Sequence, residues 1–329
     1  MVESELLVDS LAPREFIKCL KPFQVSAKIA KRFKRSIFDV LGCSFLDVGC
    51  GQCPYCRAKT ALYWSFRLMC ELRVCVTADF LTLTYHDQFI PLDHLGRPCF
   101  NLKHHQDFIM ALRNRVRRMS DREVFLSGRS RAYWKSHPVK FYKIDERGSK
   151  FGRVHYHSIL FNLPVNLLRS DVISQCWPHG RYYRGDVTMS SVAYVAAYLI
   201  NVPDGESFNA KHGDIMRPRM QCSKGIGVSY LSTINKLMAR DGSLACRDYL
   251  IPMDGKMFPL SRYYIDKLNL SLSVRASRIR KAGDDVRKRY VKFFDDQVNH
   301  PDPYSYFLLV RSAGAERLLS AKDKSHSHF

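Results

Sequence analysis

The sequence has no run of about 18 uncharged apolar residues, the length a helix needs to cross a bilayer. Its opening stretch, Met1 to Arg14, carries Glu3, Glu5 and Asp9 where an export signal would be basic and then apolar. Neither a membrane span nor secretion is therefore expected. Acidic charge is scarce: 31 Asp and Glu stand against 52 Lys and Arg, a formal net charge of +21 over 329 residues. That deficit points to a polyanionic partner, nucleic acid before anionic membrane. No G-x-x-x-x-G-K-[ST] segment is present, which excludes a P-loop ATPase. Internal repeats and low-complexity tracts are also missing, and with 46% apolar residues the chain reads as an ordinary folded protein. The 11 cysteines are odd in number and come without an export signal, so they read as reduced thiols or metal ligands.

At about 150 residues per domain, the length suggests roughly two domains. Composition and motifs divide the chain into a basic, Cys-containing region 1–75, a motif-bearing region 76–205 and a basic region 206–329. Phe80-Leu-Thr-Leu-Thr-Tyr85 alternates apolar and hydroxyl side chains with the period of a half-buried strand. A helix is expected from about His104 to Met119, with Phe108, Leu112, Val116 and Met119 as its apolar stripe and Arg113, Arg115, Arg117 and Arg118 on the remaining surface. Strands Val139–Ile144 and Val154–Asn162 follow, joined by the polar turn 145–149, and a helix starts at Ser190 or Ser191.

His155-Tyr156-His157 lies in the middle of one of those strands. Residues two apart project from the same face, so two imidazoles stand side by side, able to give one nitrogen each to a divalent cation. Glu146, or its neighbour Asp145, could fold over that face from the turn and add a carboxylate, leaving open positions on Mg²⁺ or Mn²⁺ for a substrate oxygen. Tyr194 and Tyr198 are four apart on a predicted helix and share a face, with Val192, Val195 and Leu199 as a separate packing stripe. A tyrosine that attacks a phosphodiester keeps the bond energy in a phosphotyrosine link, but phenol, with a pKa near 10, needs a base or a metal to help it. Packing of two aromatic rings is the alternative use of the same spacing. Cys50, Cys53 and Cys56 form a C-x2-C-x2-C run that could hold a soft metal; a structural zinc would need a fourth ligand, with Cys43 or Cys70 nearest, and free thiols in a compact loop are the other reading. Lys28–Arg35, Arg113–Arg118 and Arg275–Lys292 read as phosphate-facing surface, and Phe33, Tyr142, Tyr182 and Tyr183 as rings that stack on bases or pack in the core.

The order of these motifs, strand 80–85, then Glu146, then His-Tyr-His, then Tyr-x-x-x-Tyr, resembles the HUH endonuclease superfamily of rolling-circle replication initiators. More closely, the chain resembles the two-tyrosine initiators of microviruses, particularly the gokushovirus type. Cys50-Gly-Gln-Cys53-Pro-Tyr-Cys56, Gly152-Arg-Val-His-Tyr-His157, Trp177-Pro-His-Gly180, Ser190–Tyr198, Ser223-Lys-Gly-Ile-Gly227 and Pro259–Tyr264 are similar to that family's landmarks. One departure is Ala197, where the family usually has Lys or Arg; Lys143, Arg153 or Lys211 could supply the cation instead.

The resemblance implies an α+β fold: an HUH core with an antiparallel, ferredoxin- or RRM-like sheet, helices on one face, the histidines on a central strand, and N- and C-terminal extensions. It implies a metal-dependent nickase and ligase in which His155, His157 and Glu146 hold Mg²⁺ or Mn²⁺ and Tyr194 and Tyr198 are the nucleophiles, in an order left open. Single-stranded and origin DNA would be its substrates, with helicase and polymerase supplied by the host bacterium, in whose cytoplasm it would act. A plasmid relaxase or transposase of the same superfamily and a non-enzymatic, zinc-containing DNA-binding protein are the alternatives.

Overall fold

The computed structural model describes residues 19–26, 35–148, 152–168, 171–198, 219–240, 250–268 and 270–325. Lys211, Pro203, most of the 28–35 basic piece and the last residues of the tyrosine helix lie outside them. Nine strands occur among the described residues: β1 Phe23–Ser26, β2 Phe45–Val48, β3 Ala78–Thr84, β4 Lys140–Arg147, β5 Val154–Phe161, β6 Tyr182–Asp186, β7 Met220–Cys222, β8 Leu250–Met253 and β9 Lys256–Pro259. The chain divides into two compact units, one of Trp64–Tyr230 and one joining Met1–Tyr63 to Leu231–Phe329.

The Trp64–Tyr230 unit is α+β, built on a five-stranded sheet in the order β6-β3-β5-β4-β7, with every neighbouring pair antiparallel. The chain runs β3, helix Leu102–Arg117, β4, β5, helix Val172–Cys176, β6, so its first four strands have the connectivity and order of a ferredoxin-like sheet, with β7 added outside β4. The histidine strand β5 is the central one.

Both crossover helices pack on the face bearing Leu81, Leu83, Tyr156 and Leu160. Phe108, Ile109, Leu112 and Val116 of the first and Val172 and Ile173 of the second join Trp134 and Trp177 in one buried cluster. Apolar residues at three- and four-residue spacing dictate this for the Leu102–Arg117 helix, and Asn101 caps it by accepting from the Lys103 amide. Gly180 lets the following loop cross the end of β3. A Cβ there would collide with the Thr84 carbonyl and the Tyr85 backbone, while the His86 amide donates to His179 O and the Thr84 amide to Arg181 O at 2.9 Å each.

The other face is not left open, in contrast to the expectation of helices on one face. It carries buried Tyr142, Ile144 and Ile159, which must also be removed from water. Trp64 packs its ring 5.2 Å from that of Tyr142, and Phe80 lies 6.4 Å from the Tyr194 ring of the helix Met189–Ala197. Helices thus flank the sheet on both faces, and the second face holds the polar residues described below.

In the other unit, β1 and β2 form an antiparallel ribbon in which Phe23 faces Val48. β8 and β9 make a hairpin whose Asp254-Gly255 turn has both φ values positive, +49° and +73°. Phe38 and Ala276 form one small core with Val25, Leu46 and Leu272; Phe294 and Phe307 form another between the long helices Leu272–Asp296 and Pro303–Ser325.

Candidate active site

Strand pairing sets the geometry. The sequence suggested that Glu146 sits in a turn, but β4 continues through Arg147 and places Glu146 directly opposite His155 in the β4–β5 register, with Ile144 opposite His157. Paired residues share a sheet face, so Glu146, His155 and His157 rise together from the second face. Asp145 points the other way, into the face covered by the crossover helices, where it is fully buried, paired with Lys143 and accepts the Arg219 amide at 3.1 Å. The choice between the two acidic neighbours is thereby decided for Glu146.

His157 Nε2 lies 2.5 Å and His155 Nε2 3.1 Å from the same oxygen, Glu146 Oε2. One ligand atom from each of the three side chains lies within 4.8 Å of the others. The second ring nitrogens are also held. Thr82 Oγ1, directly across the β3–β5 pair, is 3.0 Å from His157 Nδ1, and the Arg153 carbonyl is 3.2 Å from His155 Nδ1. An imidazole whose Nδ1–H is given to a hydroxyl or carbonyl presents Nε2 as a lone pair, the orientation in which histidines bind metals. Phe80 stacks on the His157 ring at 5.6 Å and fixes its plane. The donor set, two imidazoles and one carboxylate with their outer partners in place, fits a divalent cation.

The tyrosine helix spans Met189–Ala197, one residue earlier than the Ser190 start that the sequence suggests. Thr188 is its N-cap, and Ser191 is the reciprocal partner in a capping box. Val192, Val195 and Ala196 are buried beneath it, which turns Tyr194 and Tyr198 toward the histidines. Their rings lie 5.7 and 5.8 Å from that of His157 and 5.0 Å from each other. Tyr198 donates to Glu146 Oε2 at 2.5 Å, and the two phenolic hydroxyls are hydrogen-bonded to each other. All five predicted site residues therefore meet at one place.

Electrostatics follow from this crowding. Burial pushes the Glu146 carboxyl up, but hydrogen bonds from His155, His157 and Tyr198 outweigh it and hold the group well below the ordinary carboxylate range. The Tyr198 phenol is driven far above its usual value, by burial first and then by the Glu146 charge. Tyr194 is raised too, by burial, with the hydrogen bond to Tyr198 acting in the opposite direction.

Other expectations fare differently. Lys143 cannot replace the cation missing at Ala197: it is buried on the opposite sheet face, 4.7 Å above the Tyr156 ring. Arg153 is engaged by Asp87 at 2.5 Å and by the Tyr85 carbonyl at 2.8 Å. The arginine helix also lies on the far face. Arg113 donates to Val139 O and Ser223 Oγ, and Arg115 pairs with Glu123, so these two serve packing rather than phosphate contact. Tyr142 is core, whereas Tyr183 on edge strand β6 stays 63% exposed opposite Thr82. Thr82 and Phe80 had no assigned role in the sequence; their signal was the alternation of the strand that carries them.

Residues 78–202 match the family model of the replication-associated protein ORF2, a span that opens at β3 and includes all five site residues. Among curated proteins, the chain is 27% identical over 234 residues to the replication-associated protein ORF2 of Spiroplasma virus 4, covering 66% of each. It is 25% identical over 271 residues to the replication-associated protein VP4 of Bdellovibrio phage phiMH2K, covering 75% of this chain and 76% of that one. Its identity to the replication-associated protein ORF4 of Chlamydia phage 1 is 22% over 258 residues, 73% of this chain and 58% of the other. The chain is similar to phage replication-associated proteins. The resemblance read from its motifs is the one these matches give. No solved structure matches. No helix among the described residues is long and apolar enough to cross a membrane.

Proposed function

We propose that this replication-associated protein starts rolling-circle replication of a single-stranded DNA phage genome by nicking origin DNA and later rejoining the strand. The observation that carries this reading is the meeting of two phenols with Glu146, His155 and His157 on one sheet face. In it, the phenol oxygen of Tyr194 or Tyr198 attacks the scissile phosphorus. The P–O3′ bond breaks, the 5′ phosphate stays on the tyrosine, and the 3′-OH primes synthesis. After one round the other tyrosine cuts the regenerated junction, and the freed 3′-OH displaces the first tyrosine to close a circle.

The residues divide the work. His155, His157 and Glu146 would hold Mg²⁺ or Mn²⁺, with Thr82 and the Arg153 carbonyl fixing the imidazoles. A divalent cation bound there lowers the pKa of a nearby phenol and offsets charge developing on the phosphate. Glu146 positions Tyr198 rather than taking its proton, because a carboxylate made so acidic is a weak base. The raised acidity constants of both phenols make such help necessary. The shared face lets either oxygen reach one phosphate without moving the helix. Unwinding and synthesis fall to the helicase and polymerase of the host bacterium, in whose cytoplasm the protein would act.

The test mixes purified protein with circular single-stranded DNA of its genome and Mn²⁺, and reads a denaturing gel for protein joined to cut DNA. The adduct is expected from the native protein and each single Tyr→Phe variant, and is lost in the Tyr194→Phe/Tyr198→Phe pair and in His157→Ala. Tight, salt-dependent binding by every variant with no adduct from any would leave a binding protein in its place.

A further inference from the structure

We propose that Cys19, Cys50, Cys53 and Cys56 bind one structural zinc ion, a site separate from the tyrosine centre. The sequence offered three of these cysteines and looked to Cys43 or Cys70 for a fourth. The fold supplies Cys19 instead. In the β1–β2 ribbon Phe23 faces Val48, so the residues just before β1 and just after β2 leave the ribbon side by side, and Cys19 meets Cys50 although 31 positions separate them. Cys43 packs instead beside the Phe38 core, and Cys70 is buried in the helix Pro54–Leu72.

The four sulfurs all lie within 4.8 Å of one another. Cys19 Sγ and Cys53 Sγ are 3.8 Å apart. Zinc–sulfur bonds of about 2.3 Å in a tetrahedron place neighbouring sulfurs about 3.8 Å apart, the same spacing. A disulfide would bring two of them to about 2 Å, and all four are free thiols. The group is also too tight to admit the irons and sulfides of a cluster between its thiolates.

The backbone around them points to thiolates rather than thiols. The amides of Gln52 and Cys53 both donate to Cys50 Sγ, at 3.4 and 3.3 Å, and the Cys50 amide donates to Cys19 Sγ at 3.2 Å. A neutral thiol is a weak acceptor, so three amides aimed at two sulfurs suit charged ligands held by a cation. The turn that aims them depends on Gly51, whose φ of +76° lies in the left-handed region. Gly49 clears the space: a Cβ there would meet Cys56 Sγ at 2.9 Å. Arg311, from the helix Pro303–Ser325, donates to the Cys19 carbonyl, and Tyr55, next to Cys56, donates to the Arg311 carbonyl at 2.7 Å. The ion would thus clip the strand ribbon to the start of the Pro54–Leu72 helix at a point where the last described helix also docks.

Full-length protein tests this in the His155→Ala/His157→Ala background, which removes the other candidate site. One zinc per chain is expected by mass spectrometry, released as one equivalent by a mercurial. Replacement by Co²⁺ is expected to give the near-ultraviolet thiolate charge-transfer bands of a tetrahedral sulfur site. Cys43→Ser keeps metal and bands, Cys53→Ser loses both, and Cys19→His keeps the metal with a weaker charge-transfer band and so controls for misfolding. Retention of the full cobalt spectrum in Cys19→Ala would overturn the assignment of Cys19. Absence of metal from a folded protein whose four thiols are alkylated as fast as in denaturant would overturn the site.

Discussion

Tyr198 gives its phenolic proton to the carboxylate oxygen of Glu146 at 2.5 Å, and that same oxygen faces both histidine Nε2 atoms. One atom therefore ties the proposed nucleophile to the proposed metal ligands. Glu146→Gln keeps the size of the side chain while removing its charge. On the proposed reading, strand cleavage falls by on the order of 10²–10³-fold, the loss that follows removal of one group stabilising a transition state. Salt-dependent binding to uncut DNA changes little. A cleavage rate within a factor of a few of the native protein, at saturating Mn²⁺, would remove Glu146 from the machinery.

Thr82 reaches the reaction only through His157. Thr82→Val keeps the branched shape on β3 but removes the hydroxyl that orients Nδ1. An outer partner of this kind is worth about 10–100-fold in metal affinity. The expected result is a Mn²⁺ titration of adduct formation shifted by that factor, with the plateau rate nearly preserved and Thr82→Ser restoring the midpoint. A lowered plateau with an unchanged midpoint would mean that Thr82 acts by packing alone.

Tyr183 is the exposed ring of the site face, on an edge strand directly across from Thr82. Its placement suits stacking on an unpaired base beside the scissile phosphate. Tyr183→Ala is expected to weaken binding of a short single-stranded oligonucleotide by about 1–3 kcal/mol. Tyr183→Phe retains the affinity, and adduct yield at saturating DNA does not change. Equal binding by the alanine variant, read by fluorescence anisotropy, would make this ring mere surface.

Much of this site was legible because its spacing is local. A two-residue period brings His155 and His157 to one face of a strand, and a four-residue step does the same for Tyr194 and Tyr198 on a helix. What failed depends on cross-strand register. Alternation ends at Ile144, so Glu146 reads as turn, yet pairing with Val154–Tyr156 carries β4 on to Arg147. The same parity that lifts Glu146 to the site sends Lys143 and Asp145 beneath the sheet, where no composition rule would put an ion pair. Arg113 and Arg115 look like phosphate ligands in a basic chain but find carbonyls and Glu123 within reach. Cys19 was invisible because strand pairing alone joins it to Cys50.

The opposite face predicts an acid-sensitive fold. His105 is wholly buried with Nε2 2.9 Å from Ser158 Oγ, and His104 stacks on His179 at a ring distance of 3.9 Å. Burial is the first cause in lowering all three imidazoles below their ordinary value, His105 most of all. The unfolded chain takes up these protons near pH 6.5, whereas the native protein does not until lower pH. Below about 6.5 the unfolded state therefore binds more protons, and stability falls as pH falls. The slope is up to about 1.4 kcal/mol per pH unit for His105, and smaller for the half-buried His104 and His179, whose charges water screens. The carboxylate of Glu123, held down to about 2 by Arg115 first and then by the Ser120 amide, titrates in a separate window. Its contribution is present above about pH 4.5 and is lost only as pH approaches 2. Thermal melts between pH 7 and 5 should thus show a falling midpoint that His105→Gln makes shallower, with the change from Glu123→Gln confined below pH 4.5. A midpoint flat from pH 7 to 5 would mean that the three imidazoles take up protons equally in the folded and unfolded chains.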